Sequence, residues 1–196
     1  MIERALISVY DKSGVVDFAK ELVELDIDIL STGGTARLLE EHKVKVRKVS
    51  DFTRSDEILD GRVKTLHPKI YAGLLCNRDN DDHRNQMHEL EYEYIDMVIV
   101  NLYPFEEVTS KPDVTLETAI ENIDIGGVTL IRAAAKNFKD VILVTDPEDY
   151  NAVLEMLKKF NKVDLKTRKT LAVKGFAKTM KYDKAIAKYL QEYQMR

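Results

Sequence analysis

Short apolar runs of strand character alternate with amphipathic helical patterns over the first 150 residues of this chain. No other feature constrains the fold more, because strands joined through helices lie parallel, with the helices covering the sheet faces. Ala5-Leu6-Ile7-Ser8-Val9 reads as a first strand, and Val15, Val16, Phe18, Ala19, Leu22 and Val23 then fall on one face at helical spacing. Ile27-Asp28-Ile29-Leu30 reads as a second strand and Gly34 to His42 as a second helix. Val44-Lys45-Val46-Arg47-Lys48-Val49 alternates apolar and basic residues as a third strand would.

Beyond a loop around Lys64, roughly residues 82–92 read as a charged helix, and Ile95-Asp96-Met97-Val98-Ile99-Val100 as a strongly apolar central strand. Leu116, Ala119, Ile120 and Ile123 mark a helix, Val128 to Lys136 the next, and Val141-Ile142-Leu143-Val144 a last strand. Asp146 and Pro147 make a helix start, as N-cap and first-turn residue. The expected fold is α/β, a Rossmann-like, mainly parallel sheet with helices on both faces. Residues 1–150 form that domain; residues 151–196 form a C-terminal segment of one or two helices, packing on it or leading to a partner domain. Ligands of such sheets bind beyond the carboxyl ends of the strands, near a reversal of strand order. The loops after Val9, Leu30 and Val100 are the places to look.

The composition narrows the function. Lys and Arg total 30 against 34 Asp and Glu, a formal net charge of -4, without the clustered basic excess of a nucleic-acid surface. Cys76 is the only cysteine. It excludes an intrachain disulfide and a cysteine metal cluster, reads as core, and fits a cytoplasmic setting. Met1-Ile2-Glu3-Arg4 runs directly into a strand with no signal-peptide pattern, and no apolar stretch reaches membrane-spanning length. His83 and His88 are five apart, on different helix faces, so no metal is expected. His67 is expected to make a structural hydrogen bond.

Five loops are candidates for chemistry. Gly61-Arg62-Val63-Lys64-Thr65-Leu66-His67-Pro68 sets two cations on a segment held between a glycine and a proline, which suits an anionic ligand or a solvated loop. Ser31-Thr32-Gly33-Gly34-Thr35 opens a helix, where free amides, the helix dipole and added hydroxyls make a phosphate cradle, or else a glycine turn with a Thr cap. Ser8 and Lys12, from the loop after the first strand, would complete that cradle. Asp124-Ile125-Gly126-Gly127 opens another helix, with Asp124 either an acid–base group or an N-cap. Lys136, near that helix's C-terminus, either takes part in chemistry or complements the dipole. Asn101-Leu102-Tyr103-Pro104-Phe105 ends the best strand, placing a polar residue and a phenol at the expected ligand edge.

Taken together, these strings resemble the IMP cyclohydrolase domain family, the N-terminal part of the bifunctional AICAR transformylase/IMP cyclohydrolases. The matching strings are Ser8 to Lys12, Ser31 to Ala36, Gly61 to Pro68, Asn101 to Phe105, Ile123 to Val128 and Arg132 to Asn137, with the Tyr182-Asp183 region fitting as well. The resemblance spans essentially the whole chain. It implies the methylglyoxal-synthase-like fold and closure of the second purine ring, from 5-formamidoimidazole-4-carboxamide ribotide (FAICAR) to IMP, with no metal or organic cofactor. By motif, Lys64, Tyr103, Asp124 and Lys136 match catalytic positions. Ser8, Lys12, Thr32, Gly33, Gly34, Thr35, Arg62 and Thr65 match the ribotide and phosphate pocket, with Thr32 a mild variant of a Ser/Thr site, and Asn101, Gly126 and Gly127 match the reacting end.

That chemistry gives the residues work to do. A carboxamide nitrogen is a poor nucleophile until deprotonated, and the formyl oxygen gains negative charge before leaving as water. The Gly126 and Gly127 amides would stabilise that oxygen, an Asp124–Lys136 pair would move the proton, and Lys64 with Tyr103 would polarise the carboxamide. Which group is base and which acid stays open. The partners implied are a purine ribotide, a transformylase domain or subunit, and a second copy in a homodimer. The chain is expected to be either an isolated domain or a free-standing cyclohydrolase. Two rivals share the fold. Methylglyoxal synthase has a Thr-Gly-Thr-Thr-Gly string that is absent here, and a regulatory nucleotide-binding module would need the cradle but not Asp124 and Lys136 together.

Overall fold

The alternation yields a five-stranded, wholly parallel sheet in the computed structural model, which describes residues 2–193. Met1 and residues 194–196, the ends of the two expected segments, lie outside the described residues. In chain order the elements are β1 (Arg4–Ser8), α1 (Val15–Glu24), β2 (Asp28–Ser31), α2 (Gly33–Glu41), β3 (Arg47–Lys48), α3 (Val49–Thr53), α4 (Pro68–Leu75) and α5 (Asp81–Glu89). There follow β4 (Met97–Val100), α6 (Phe105–Thr109), α7 (Leu116–Glu121), α8 (Gly126–Lys136), β5 (Ile142–Val144), a 3-10 turn (Pro147–Asp149), α9 (Tyr150–Phe160) and α10 (Leu165–Glu192).

The strands lie in the order β3-β2-β1-β4-β5. The chain steps outward from β1 to β3, then returns to lay β4 against the other side of β1, so the order reverses between β1 and β4. Ser8 pairs in register with Val100. The loops leaving the two strands therefore start side by side, at the crevice where such sheets bind ligands.

Both sheet faces are buried, which explains why the strands read as near-continuous apolar runs. Ala5, Ile7, Ile29, Met97, Ile99, Ile142 and Val144 pack against α1 and α9, whose inward faces carry Val15, Phe18, Ala19, Leu22, Val153 and Leu157. Leu6, Leu30, Val98, Val100 and Leu143 face the other way, onto Phe52 of α3, Ile70 and Leu74 of α4, and Leu130, Ile131 and Ala134 of α8. Each fully buried Leu, Ile or Phe contributes about 1.5–3 kcal/mol of burial. Cys76 is buried, as its apolar surroundings predict.

The structure corrects one expectation, the third strand, and adds detail to two others. The third strand shrinks to Arg47–Lys48, paired with β2 through Leu30 and Ser31. It is an edge strand with few ladder bonds, and burying Val49 and Phe52 in the core starts α3 instead. Pro68 does not merely end a loop: it opens α4, where its missing N–H costs nothing. The His67 ring nitrogen there accepts from the Lys69 amide at 3.1 Å, the structural bond expected of it. Finally, the C-terminal segment contains a single 28-residue helix, α10, after α9. The expected boundary at residue 150 falls at the first residue of α9, within the packed core.

α10 returns across β5 and α8. A Cβ at Gly175 would lie 2.5 Å from Leu143 and 3.1 Å from Ile131, so only glycine permits this approach. Lys174 and Lys178 pair with Asp146 at 3.4 and 2.9 Å, and Lys174 with Asp149 at 2.7 Å. At the opposite end of the sheet, buried Asp96 accepts from the Glu3 and Arg4 amides at 2.8 and 2.9 Å and from Arg78 at 2.6 Å, locking β1 to β4. Among the described residues no helix is long and apolar enough to cross a membrane.

Candidate active site

A cavity of about 570 Å³ opens at the β1–β4 crevice. Its wall brings together Ser8 and Lys12 after β1, the Thr32–Thr35 turn after β2, and Asn101 and Tyr103 after β4. The loop carrying Arg62, Lys64 and Thr65 crosses between them, and Asp124, Gly126 and Gly127 close the far side. Segments distant in sequence thus converge because β1, β2 and β4 are adjacent and all end on this edge.

The cationic loop spans two helix N-termini. A Cβ at Gly33, which opens α2, would sit 3.5 Å from the Lys64 ammonium, and one at Gly126, which opens α8, would sit 3.0 Å from the Thr65 hydroxyl. Gly33 adopts φ +55°, a left-handed backbone that a side chain would strain. The first turn of α2 has no side-chain cap, so its amides face the cavity beside Lys64 with the positive end of the helix dipole. An uncapped helix start beside an ammonium group suits an anion.

The hydroxyls expected to enlarge that cradle are engaged elsewhere. Ser31 donates to Ile7 at 2.7 Å, Thr32 to the Glu57 carboxylate at 2.6 Å, and Thr35 to the Val9 carbonyl at 3.0 Å. A hydroxyl has one proton, so these three act as struts and leave the first-turn amides and the Lys64 ammonium as the donors facing the cavity. The Lys12 ammonium leans back toward the Tyr10 carbonyl at 3.2 Å, at the exposed rim.

Asn101 is also a strut. Its side-chain oxygen accepts from the Tyr10 and Asp11 amides at 2.7 and 2.9 Å, and its amide group donates to the Asp11 carbonyl at 2.9 Å. It fixes the β1 loop to the end of β4 and has little left for a reacting group. Tyr103 is held at the mouth against Tyr10, ring centroids 5.0 Å apart and tilted 52°. Both rings are about half exposed. Arg62 pairs with Glu121 of α7 across the entrance.

Asp124 is the best-placed acid–base group. Its Oδ1 accepts from the Gly127 amide at 2.7 Å, so it also caps α8. Burial pushes its carboxyl above the usual range, against the opposing pull of the Gly127 and Tyr103 amides and the Lys64 charge. Tyr71, bonded to Thr129 at 2.7 Å, and Tyr182 also face it. Because the Gly127 amide is given to Asp124, Gly126 alone of the expected pair keeps a free amide at the reacting end.

Lys136 does not join this group. It ends α8, about 15 Å along the axis from Gly126 at the usual 1.5 Å rise, is exposed, and lines a separate hollow with His83, Asn137 and Lys139. The expected Asp124–Lys136 pair does not form, and Lys136 sits where it complements the helix dipole. Sequence reasoning passed over Tyr10, Glu57 and Glu121, and named Tyr182 only as part of a matching region, without a role. Tyr10 lay inside a quoted string and its aromatic character was a usable signal, whereas the others depend on tertiary contacts alone.

Residues 14–129 match the MGS-like domain family, and residues 134–196 match the AICARFT/IMPCHase bienzyme family. A bifunctional purine biosynthesis protein PurH of Acetivibrio thermocellus is 57% identical over 192 residues, covering 98% of this chain and 37% of that protein. Another from Bacillus thuringiensis is 56% identical, covering 98% and 38%. The chain thus spans under two fifths of the length of these curated relatives. The crystal structure of ForH superposes with a TM-score of 0.83 at 32% identity, covering 95% of this chain and 98% of that one.

Proposed function

This chain belongs to the MGS-like domain family, and from that premise we propose that it is an IMP cyclohydrolase, closing FAICAR to IMP with loss of water. The observation that carries the reading is the convergence of Lys64 and Asp124 in one cleft beside an uncapped helix N-terminus. The ribotide phosphate lies on the first-turn amides of α2, with Lys64 and Lys12 nearby. The heterocycle extends toward Tyr103 and Asp124.

In the ring closure, the ionised Asp124 carboxylate takes a proton from the carboxamide nitrogen, which attacks the formyl carbon. The formyl oxygen gains negative charge facing the Lys64 ammonium and the free Gly126 amide. One well-placed donor of this kind is worth about 3 kcal/mol in the transition state. Lys64 protonates that oxygen to a hydroxyl, the proton held on Asp124 passes to this hydroxyl so that it leaves as water, and the formamide nitrogen returns its N–H proton to Lys64 as the C–N double bond forms. Tyr103 supports the carboxamide oxygen. Lys136 takes no part. A transformylase domain or subunit supplying the formyl group, and a cytoplasmic setting, belong to the same proposal.

A triose-phosphate reading is disfavoured by size, because a cavity of about 570 Å³ suits a nucleotide rather than a three-carbon ester. Supplying FAICAR and dihydroxyacetone phosphate in separate reactions tests the choice. IMP from the first and no methylglyoxal from the second is the expected result; methylglyoxal without IMP would reverse it.

A further inference from the structure

We propose that Tyr182 of α10 is a positioning residue for Asp124, which makes the C-terminal helix part of the active site; the inference rests on the cyclohydrolase reading above. Tyr182 lies 58 residues from Asp124 and outside the cavity wall, yet its phenol sits on the main chain of the loop that presents the carboxylate. The Asp124 amide donates to the Tyr182 oxygen at 2.8 Å, and the Tyr182 hydroxyl donates to the Asn122 carbonyl at 3.2 Å. One oxygen thus clamps both ends of the Asn122–Asp124 turn. Two residues before the glycine pair, the chain direction is fixed by α10 and not by the sheet.

The ring of Tyr182 also reaches the second half of the site. It meets Phe105 edge-on, centroids 6.2 Å apart at 72°. Phe105 is buried and follows Tyr103 by two residues, so it anchors the segment that holds Tyr103 at the mouth. Ala119 of α7 and partly buried Ile123 and Val128 complete the same apolar cluster. Tyr182 thus touches both the Asp124 turn and the Tyr103 anchor. Burial pushes its phenol upward, which keeps the proton on the hydroxyl that Asn122 receives.

The geometry is economical in what it demands of a test. Tyr182→Phe keeps the ring and its contact with Phe105 and removes only the oxygen. The Asp124 amide and the Asn122 carbonyl lose their partner, and the turn is free to shift. A displacement on the order of 1 Å at a reacting group costs up to about a hundredfold in rate. We therefore expect Tyr182→Phe to lower kcat by roughly tenfold to a hundredfold while KM moves less than about threefold. Val173→Ser, on the exposed outer face of the same helix, should leave both unchanged.

Two readouts separate positioning from simple loss of stability. The Asp124 carboxyl, followed by carbon-13 NMR, should titrate above the ordinary carboxylate value in the unaltered protein and move back toward it in Tyr182→Phe, as water enters the loosened turn. Hydrogen exchange at the Asp124 amide of the unaltered protein should be slow. A Tyr182→Phe protein with a lower melting temperature but unchanged kcat and unchanged Asp124 titration would overturn the inference, as would unprotected exchange at that amide. If the unaltered protein turned over no FAICAR, the cyclohydrolase reading would fall, and the titration and exchange would still decide whether Tyr182 holds Asp124.

Discussion

The Asp124 carboxylate accepts a 2.7 Å hydrogen bond from the Gly127 amide, three residues on, so one side chain both caps α8 and faces the cavity. Capping and chemistry are not alternatives here. The cap fixes one oxygen and leaves the other for a proton.

That arrangement depends on Gly127 having no side chain. A Cβ there would stand 2.5 Å from Asp124 Oδ2 and 2.8 Å from Leu102. Gly127→Ala should displace the carboxylate and lower kcat, whereas Asp124→Asn should remove the base and lower kcat by about 10²–10⁴. Steady-state kinetics on both variants check this; unchanged kcat in Asp124→Asn would exclude it as base.

Burial raises the Asp124 carboxyl above its ordinary value of 3.8. The folded protein then holds this proton more tightly than the unfolded chain, so the group's contribution to stability is greatest at low pH and is lost as pH rises through the raised value. Activity has the opposite sign, since the base works ionised: kcat/KM should climb with pH through a limb above the ordinary carboxylate value. A pH–rate profile beside urea unfolding of wild type and Asp124→Asn measures both.

Lys64 and Lys136 should behave differently despite both lying in matched strings. Lys64→Ala removes the ammonium beside Gly33 and Asp124 and should cost about 10² or more in kcat/KM. Lys136→Ala alters an exposed helix end and should cost less than about threefold. Equal, large losses would place Lys136 at the reacting centre.

Asp96 serves the fold rather than the reaction. Asp96→Ala strands Arg78, the buried Arg4 amide and the partly buried Glu3 amide at the far end of the sheet and should destabilise by about 3–5 kcal/mol. Chemical denaturation reads that loss, with kcat of the remaining folded protein near wild type.

Much of this was legible in the chain because it depends on local pattern. The apolar runs around Leu6, Leu30 and Val98 dictate a parallel sheet buried on both faces, and the turn at Gly33 marks the helix start that opens on the cavity. What could not be read depends on which partner reaches a group first. Thr35 looks like a phosphate donor until the Val9 carbonyl, just past β1, comes within 3.0 Å of its hydroxyl. Asn101 looks like a ligand until the Tyr10–Asp11 loop folds onto it. Lys136 belongs to a recognisable string, but a string does not say which end of an eleven-residue helix meets the substrate. The short β3 reflects the competition between edge pairing and burial of Phe52, which no alternation pattern records.

The most direct measurement is the rate at which this chain alone converts FAICAR to IMP, followed by ultraviolet absorbance, for wild type beside Lys64→Ala. The account predicts saturable IMP formation by the wild type and a loss of about a hundredfold in the variant. IMP bound tightly but never formed, with the same affinity in both proteins, would contradict it and leave a nucleotide-binding module in its place.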